Sequence, residues 1–511
     1  MNFYSIAIGI INNRELTDDV LGQVINNLTI LGANEETINQ VRKEIENNFK
    51  VKHTKGGGLK SLDQDPWLDD YRTKINWQNW DAYKSFLAAE NFARDTIRAI
   101  DDDTDEVLNC CGNPFVESNW NIRGLVMGDV QSGKTANYAG LINKAVDAGY
   151  KMIIILTGTI EDLRSQTQER IDETFVGRKS EITQESQISE TIIGVGKYKT
   201  YNINCLTSIT SDFKLKNAQV LDGVPLASIN DPVLLVVKKN KSILNNFKSF
   251  LQKNTDEKKQ VPIAALILDD EADNASVNSN PDENPATINK LIREILTFFK
   301  QSSYVAYTAT PFANVFINHE NELEELNDLF PYNFIYSLEQ PDNYVSVNSL
   351  FGNNKKYENH IEYIEDANDL FPPQHDKTLI VTKLPASLTE ALDVFLLSCA
   401  IRDLRDEKLK HRSMLINLTR FTDVQGQVSK LIKEIFEDRK EYIKQYLSDK
   451  NNWRKGGVIV QELYETWQKY FHEIEFTWDE IRSHLYESIA PIKIITINQK
   501  SKEKLNYSNI K

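Results

Sequence analysis

The sequence predicts an α/β protein whose first half contains a parallel sheet covered by helices on both sides. Between residues 122 and 318, short apolar runs rich in β-branched residues alternate with helical patterns, which is typical of strands buried on both faces. Two further observations support this fold class: a glycine-bounded loop follows the first run, and acidic residues follow the fourth. The five runs occupy residues 124–127, 152–156, 232–237, 264–268 and 304–308.

Residues 1–120 predict a mainly helical N-terminal domain. One helical pattern has apolar residues spaced by three and four after a candidate N-cap at Asn34, and a second carries Trp80, Tyr83, Phe86 and Leu87. The first pattern consists of Ile38, Val41, Ile45 and Phe49. We expect residues 53–66 to form a flexible or turn-rich break, and the acidic run at 101–106 to be a solvated loop.

A first lobe at 121–318 is followed by a polar connection or insertion at 319–377 and by a second α/β block at 378–511. In that block, residues 413–418 and 492–497 are predicted strands, and residues 378–382 are a strand or the end of one. A helical pattern lies between 387 and 404, and Thr477 with Glu480 predicts a capping box at the start of a later helix.

Composition limits the class of protein. The 511 residues carry a net charge of −15, which argues against a surface coated with positive charge for non-specific nucleic-acid binding but permits a local basic groove. Four scattered cysteines without a C-x-x-C pair predict neither a disulfide framework nor a zinc site. The N-terminus lacks a signal-peptide pattern, and no apolar run approaches membrane-spanning length, so we expect a cytoplasmic protein.

The segment "GDVQSGKT", residues 128–135, matches the phosphate-loop pattern G-x-x-x-x-G-K-[ST]. Such a loop turns backbone N–H groups towards a phosphate, at the positive end of the following helix. Lys134 is expected to reach the β- and γ-phosphates of ATP, and Thr135 to offer its hydroxyl to Mg²⁺. The predicted ATP-binding residues are Gly128, Gln131, Ser132, Gly133, Lys134 and Thr135.

The apolar run at 264–268 is followed by the acids of "DDEAD". At the carboxyl end of a strand, such acids lie beside the phosphate loop of an open α/β sheet. We assign Asp270 to Mg²⁺ and Glu271 to the attacking water, and together with Lys134 they form the predicted catalytic set. Asp269 is the alternative metal ligand if the frame shifts by one residue.

"DEAD" at 270–273 and "YTATP" at 307–311 resemble motifs of superfamily 2 helicases. By that resemblance, Thr308 and Thr310 would hydrogen-bond towards Asp273 and couple the nucleotide state to a second lobe. The segment 155–171 also resembles a helicase motif that contacts a nucleic-acid backbone, with Thr157, Arg164 and Gln166 as candidates. An ordinary amphipathic helix is the alternative interpretation of that segment.

Longer phrases resemble the Z-one domain family of bacterial ATPases, over about residues 65–505. They include "GDVQSGKTANYAGLINKAVDAGYKMIIILTGTIEDLRSQTQERID", "LILDDEADNASVN", "NKLIREIL", "YVAYTATPFANVFIN", "LPASLTEALDVFLLSCAIRDLR" and "SMLINLTRFTDVQGQV". Members are described as endonucleases joined to a superfamily 2 helicase module, in restriction or phage-defence gene clusters beside separate nucleases and other ATPases. The resemblance also includes Asn274, Ser276, Asn289 and Arg293, without defined roles.

The resemblance implies two RecA-like lobes, the second of them incomplete. Family members usually continue into a glycine-rich motif and a glutamine and arginine motif, so we expect a partner chain or a downstream segment to supply that arginine. Arg420 resembles a position that touches nucleic-acid phosphate, with a plain surface arginine as the alternative. Arg402, Arg405 and Arg412 are candidates for lesser roles in the second lobe.

The sequence thus predicts an ATP-hydrolysing, helicase-like motor or remodeller that acts on DNA in a restriction or anti-phage system. The first alternative is a nucleotide-gated regulator or scaffold that recruits a separate nuclease. The second is an endonuclease in its own right. Outside 269–271, no predicted strand ends in the Asp and Glu-x-Lys set that a metal-dependent nuclease needs, so we assign nuclease activity to a partner.

Overall fold

The computed structural model divides the chain into two compact units, residues 1–358 and 359–511. It describes residues 3–11, 18–34, 37–42, 45, 53–61, 66–130, 133–180, 191–200, 202–216, 218, 226–257, 259–277, 287–315, 328–342, 344–352, 357–408, 411–447, 453–498 and 501. Phe49 of the first helical pattern, and Gln131 and Ser132 of the phosphate loop, lie outside these residues.

The described part of the first unit contains a sheet of eight strands in the order β1-β8-β2-β7-β6-β3-β5-β4. Only β1 is antiparallel to its neighbour, so the predicted α/β class with a parallel sheet is confirmed. All five predicted runs are strands, because continuous β-branched runs can be buried on both faces. The strands are β1 Gly57–Lys60, β2 Trp120–Met127, β3 Met152–Thr157, β4 Asn204–Cys205, β5 Val233–Lys238, β6 Val261–Asp270, β7 Phe299–Thr308 and β8 Phe334–Ser337.

The described helices of this unit are α1 Phe3–Ile11, α2 Asp18–Ile30, α3 Leu68–Tyr71, α4 Gln78–Ala89, α5 Arg94–Cys110, α6 Lys134–Ala148, α7 Glu161–Ile171, α8 Lys241–Lys253, α9 Thr287–Thr297, α10 Phe312–Val315 and α11 Val347–Phe351. Residues 37–42 are also helical, and Asn34 caps them by accepting a hydrogen bond from the Thr37 N–H at 2.8 Å. Single 3₁₀ or π turns occupy Arg72–Lys74, Asp172–Val176, Gly194–Lys197, Leu226–Ser228 and Glu358–His360.

Helices cover both faces of the sheet. On one face, α5 and α6 pack against alternate strand residues such as Val126, Ile155 and Val305. On the other face, α8 and α9 pack against the intervening residues, including Ile154 and Ile267. Since successive side chains of a strand point to opposite faces, each central strand contributes to both cores.

The pairing register brings the carboxyl ends of the central strands to one edge. Met127 of β2 is opposite Thr308 of β7, and Tyr307 is opposite Asp270 of β6. Leu156 of β3 lies opposite Asp269. The loops that follow β2, β3, β6 and β7 therefore meet at this edge, which is where α/β sheets place their binding crevices.

Two predictions in the N-terminal region are wrong. The acidic run 101–106 belongs to α5, where Asp103 is buried and accepts hydrogen bonds from the Gly56 N–H at 2.7 Å and the Tyr336 hydroxyl at 2.9 Å. The segment 53–66 includes β1, which extends the sheet along β8. Glycines allow this pairing because a Cβ on Gly56 would lie 2.1 Å from the Ser337 carbonyl oxygen.

The regular secondary structure described in the second unit is helical. Its helices are α12 Ala386–Leu404, α13 Thr422–Tyr442, α14 Gly457–Tyr470 and α15 Trp478–Ile489, with short turns at Ile443–Leu447 and Trp453–Gly456. A buried ion pair joins α13 to α12, since Arg439 donates to both carboxylate oxygens of Asp393. The predicted capping box at Thr477 and Glu480 is confirmed at the start of α15.

The strands predicted at 378–382, 413–418 and 492–497 are wrong, because the structure assigns no strand to these segments. Along 413–418 the burial of side chains alternates, with Ile416 and Leu418 packed against α13 residues and Leu415 exposed. The Val381 N–H donates to the Gln427 side chain of α13 at 2.9 Å. A helix side chain thus provides the acceptor that a neighbouring strand would provide in a sheet. Of the helices in the described residues, none has the length and apolarity that crossing a membrane requires.

Candidate functional site

The phosphate loop connects β2 to α6 at the carboxyl edge of the sheet. Its start is fixed by the Gly128 N–H, which donates to the Thr308 carbonyl oxygen of β7 at 3.2 Å. Gly133, directly before the helix, has φ +97°, a left-handed conformation that favours glycine, and a Cβ there would meet nothing within 4 Å. The backbone of Gly133, directly before α6, therefore has open space beside it.

Lys134 is the first residue of α6 and folds back over the loop. Its ammonium donates to the carbonyl oxygens of Gly128 at 2.9 Å and Asp129 at 2.7 Å. Burial lowers the pKa of Lys134, although the carboxylate of Asp270 acts in the opposite direction. The side chain thus lies over the loop and near enough to Asp270, at the end of β6, for the two charges to interact.

Two residues that sequence reasoning missed also contact the loop. After β8, the Gln340 side chain donates to the Asp129 carboxylate, and the Tyr344 hydroxyl donates to the Val130 carbonyl oxygen. Neither residue belongs to a recognisable motif, and both lie more than 200 positions from the loop. Only the fold, which places β8 beside β2, brings them there.

The three consecutive acids at the end of β6, Asp269, Asp270 and Glu271, lie in different environments. Asp269 is fully buried and is occupied by the Lys239 ammonium at 2.8 Å and the Tyr304 hydroxyl at 2.5 Å. Asp270 lies on the side of α6, with Oδ2 3.5 Å from the Tyr138 hydroxyl. Asp269 is therefore committed to a structural ion pair, and Asp270 is the acid that faces the phosphate-loop helix.

Burial raises the pKa of Asp270, and the neighbouring Glu271 carboxylate raises it further. A carboxylate in that condition gains from a nearby cation, so the site favours a metal ion or Lys134. Glu271 itself is exposed and adopts φ +53°. Its Oε2 would lie 3.1 Å from a Cβ on Gly158, which places its carboxylate beside the end of β3.

Asp273 receives both hydrogen bonds that the helicase resemblance implies. The Thr308 hydroxyl donates to Oδ1 at 2.7 Å, and the Thr310 hydroxyl donates to Oδ2 at 2.6 Å. Burial acts to raise the pKa of Asp273, but the hydrogen bonds from Thr310 and Thr308 outweigh it and the net shift is downward. The loop after β6 is thereby tied to the loop after β7.

The nucleic-acid candidates on β3 and α7 need correction. Arg164 is fully buried, and its guanidinium donates to the carbonyl oxygens of Ser208 and Ile209 at 2.9 Å and to Glu161 at 2.8 Å. The Thr157 hydroxyl is also buried, 3.3 Å from the Val237 carbonyl oxygen. Neither side chain is available to a nucleic-acid backbone in this conformation, and of the three candidates only Gln166 is exposed.

Another arginine on α7 lies nearer the phosphate loop. Arg170 is exposed, and its Nη1 is 3.5 Å from the Thr135 hydroxyl oxygen. Thr135 is half-buried, at the first turn of α6. Arg170 belongs to no motif, although its position six residues after Arg164 places it further along the same helix.

Residues after "DEAD" that carry the family resemblance make contacts around the acidic turn. Asn289 of α9 is buried and donates to the Ser276 carbonyl oxygen and to the Asp328 carboxylate, both at 2.8 Å. The Asn274 N–H donates to the Glu271 carbonyl oxygen at 2.9 Å. Arg293 is buried one turn after Asn289. These contacts hold the acidic turn against α9.

The arginines of the second unit have local partners. Arg402 pairs with Glu407, Arg405 binds both oxygens of Glu475, and Arg412 pairs with Asp403. Arg420 is exposed and lies over the Phe421 ring, 5.0 Å from its centroid. Of these four candidates, Arg420 is the one that lies at the surface and has no ion pair with the part of the chain that the structure describes.

Comparison with known proteins found a family model and a solved structure to which parts of this chain are similar. The family model of the Z1 domain matches residues 387–511, which confirms the family resemblance over that part of the chain. No curated protein matches the sequence. Among solved structures, the chain is similar to the crystal structure of the Pyrococcus furiosus Hef helicase domain, at 12% identity and a TM-score of 0.27. The match covers 72% of this chain and 65% of that one, so the chain spans about two thirds of the helicase domain.

Proposed function

From the Z1 domain at residues 387–511 and the site at the sheet edge, we propose that this protein binds ATP·Mg²⁺ and hydrolyses ATP as a helicase-like motor or remodeller. One observation carries the proposal. Lys134, Asp270 and the Asp273–Thr308–Thr310 cluster meet at the carboxyl edge of one parallel sheet, where three separate sequence motifs predict them. Unrelated surface residues would not be expected to converge there.

The residues present fit the nucleotide and its metal. The open space before Gly133 and the backbone of the loop suit a phosphate group, and Lys134 lies over that loop to bind its negative charge. Thr135 and Asp270 supply hard oxygen donors, which Mg²⁺ prefers. When bound, ATP·Mg²⁺ would supply the phosphoanhydride bond and a cation that offsets the charge on its oxygens.

Two acidic residues would then have different tasks. Asp270, whose pKa is raised by burial and by the Glu271 carboxylate, would hold the metal. Glu271, exposed beside Gly158, would orient and activate water. Asp273 would respond to ATP binding and hydrolysis, since its two threonine hydrogen bonds join the loops after β6 and β7. A shift of either loop changes the other, which is a means of coupling nucleotide state to conformation.

DNA is the proposed substrate, and a bacterial restriction or anti-phage system in the cytoplasm is the proposed setting. The Z1 match and the family phrases support both, and a separate nuclease is the expected partner. Because the net charge is −15, we expect a localised DNA contact rather than a broad basic surface. Gln166 and Arg420 are the exposed candidates for it.

The test is ATP turnover with and without DNA, in the wild type, Lys134→Ala and Glu271→Gln. We expect DNA-stimulated turnover that both variants reduce by about 10²-fold or more, with Glu271→Gln retaining ATP binding. Lys241→Ala, an exposed lysine at the start of α8, is the matched control and should match the wild type. Turnover in Lys134→Ala at the wild-type rate would contradict the proposal.

A nucleotide-gated regulator is the second candidate, and the local ion pairs of Arg402, Arg405 and Arg412 favour it. An arginine already bound to a carboxylate is less available to stabilise a transferring phosphoryl group. Tight ATP binding with negligible turnover, together with capture of a nuclease that depends on ATP, would support this function. Metal-dependent DNA cleavage that survives Lys134→Ala would instead support an endonuclease within this chain.

A further inference from the structure

Lys239, the residue after β5, has a side chain that is fully buried directly behind the acidic turn. Its ammonium donates to the Asp269 carboxylate at 2.8 Å and to the backbone carbonyl oxygens of Asp270 at 2.9 Å and Glu271 at 2.8 Å. An ammonium has three donors, and all three are used here. None of them goes to a side chain of the proposed catalytic pair.

A second group orients the Asp269 carboxylate of this ion pair. The other oxygen of the Asp269 carboxylate accepts a hydrogen bond from the Tyr304 hydroxyl of β7 at 2.5 Å. Asp269 and Asp270 are consecutive on β6, so their side chains point to opposite sides of the sheet. Lys239 therefore acts on the acidic turn from behind, through the backbone, and its carboxylate partner is directed away from the phosphate loop.

The backbone that Lys239 holds is in an uncommon conformation. Glu271 has φ +53°, which non-glycine residues adopt infrequently and at an energetic cost. The turn is also held by the Ala272 N–H, which donates to the Tyr307 carbonyl oxygen at 3.1 Å. Such a conformation persists only where surrounding contacts determine it, and the two carbonyl groups that bind the ammonium lie on either side of the Glu271 Cα atom.

We propose that Lys239 is a positioning residue that fixes the Asp270 and Glu271 carboxylates for metal binding and water activation. This inference rests on the proposed ATPase function. Three strands contribute to this contact: Lys239 follows β5, the acidic turn follows β6, and Tyr304 lies on β7. Without the ammonium, the turn relaxes towards ordinary backbone angles, and both carboxylates leave their positions while the phosphate loop stays intact.

The test replaces Lys239 by Met together with Asp269→Asn, so that no unpaired charge stays buried. Lys238→Met is the matched control, because Lys238 is the neighbouring residue and pairs instead with Glu161 at 2.6 Å. The measurements are the ATP affinity, the Mg²⁺ concentration that gives half-maximal turnover, and kcat per ATP-binding site. The number of ATP-binding sites is counted by titration. Counting sites removes unfolded molecules from the rate.

Since small displacements of catalytic groups cost up to about 10²-fold, we expect kcat per site to fall about 10- to 100-fold in the double variant. The half-maximal Mg²⁺ concentration should rise several-fold, and ATP affinity measured without Mg²⁺ should stay within about threefold. A purely structural role would lower the number of ATP-binding sites and leave kcat per site and the half-maximal Mg²⁺ concentration unchanged. That result, or an equal effect in Lys238→Met, would overturn the inference.

Tyr304→Phe provides a milder perturbation if the double variant does not fold. Loss of the hydroxyl leaves Asp269 aimed by Lys239 alone, so kcat per site should fall about two- to tenfold, and an unchanged value counts against the inference. If the wild type binds ATP but does not hydrolyse it, the Mg²⁺ dependence of ATP binding is measured instead of turnover. The double variant should then need a several-fold higher Mg²⁺ concentration than the wild type. A wild type that binds no ATP overturns the proposed function and this inference with it.

Discussion

Replacing Lys144 by Met should destabilise the first unit, because this buried lysine holds α6 against the acidic run of α5. Its side chain is 1% exposed. The ammonium contacts Asp101 Oδ1 and Asp105 Oδ1, each at 2.5 Å, and donates to the Asp101 carbonyl oxygen at 2.7 Å. It also lies 4.3 Å from the centroid of the Trp80 ring. Methionine keeps the apolar stem and removes only the charge and its donors.

The size of the effect follows from the exposure of the partners. Removing one member of a buried ion pair costs about 3–5 kcal/mol when the remaining charge stays buried. Here the Asp101 and Asp105 side chains are 34% and 21% exposed, so water can solvate them in part after the lysine is lost. We therefore expect a loss of about 2–3 kcal/mol, including the contact with the Trp80 ring.

Urea unfolding followed by tryptophan fluorescence measures this loss, since Trp80 lies at the contact. Lys84→Met is the control, because Lys84 forms an exposed pair with Asp81 at 3.5 Å and should change stability by about 0.5 kcal/mol or less. Adding Asp101→Asn and Asp105→Asn to Lys144→Met should recover part of the loss. A loss below about 1 kcal/mol would refute the reasoning that these acids are held by a buried cation.

Two further predictions concern packing and titration. Gly124→Ala should destabilise the sheet by about 1–3 kcal/mol, because the new Cβ would lie 2.0 Å from the Phe334 ring, whereas Gly57→Ala meets nothing within 4 Å and should leave the melting temperature nearly unchanged. Burial lowers the pKa of Lys199 to about 7 from 10.5. Between these values the unfolded chain binds the extra proton, so Lys199 contributes a stability that rises with pH. The melting temperature of the wild type should therefore gain on that of Lys199→Met from pH 7 to 10; a constant difference would contradict the shift.

The central strands could be predicted because each corresponds to a short, continuous run of apolar residues in the sequence. A run such as 152–156 must be buried on both faces, and a parallel sheet is the structure that buries it. The contacts of Asp273 with Thr308 and Thr310 were implied by the resemblance of two motifs to those of superfamily 2 helicases, and the parallel sheet brings these strand ends together. Prediction succeeded for strands whose local pattern determines their burial and for contacts whose two partners both lie in a resembling motif.

The errors have the opposite character, since the decisive partner lies far along the chain. The run 101–106 reads as solvated because its partner, Lys144, is on another helix. Gly56 reads as a flexible residue because the approach of Ser337 cannot be seen locally. In the second unit, 413–418 has the apolar alternation of a strand, but α13 covers it and no neighbour completes a ladder in the described residues.

Arg164 shows why site residues are harder to predict than strands. The motif resemblance places it on a nucleic-acid surface, yet two carbonyl oxygens some 44 residues away bind its guanidinium inside the first unit. Lys239 is the converse case: no motif marks it, and its contacts hold the acidic turn. Both cations are satisfied largely by backbone oxygens, which every residue type provides. A sequence pattern can therefore identify the groups that would meet a ligand, while the groups that position them become visible only when the fold assigns each buried donor its acceptor.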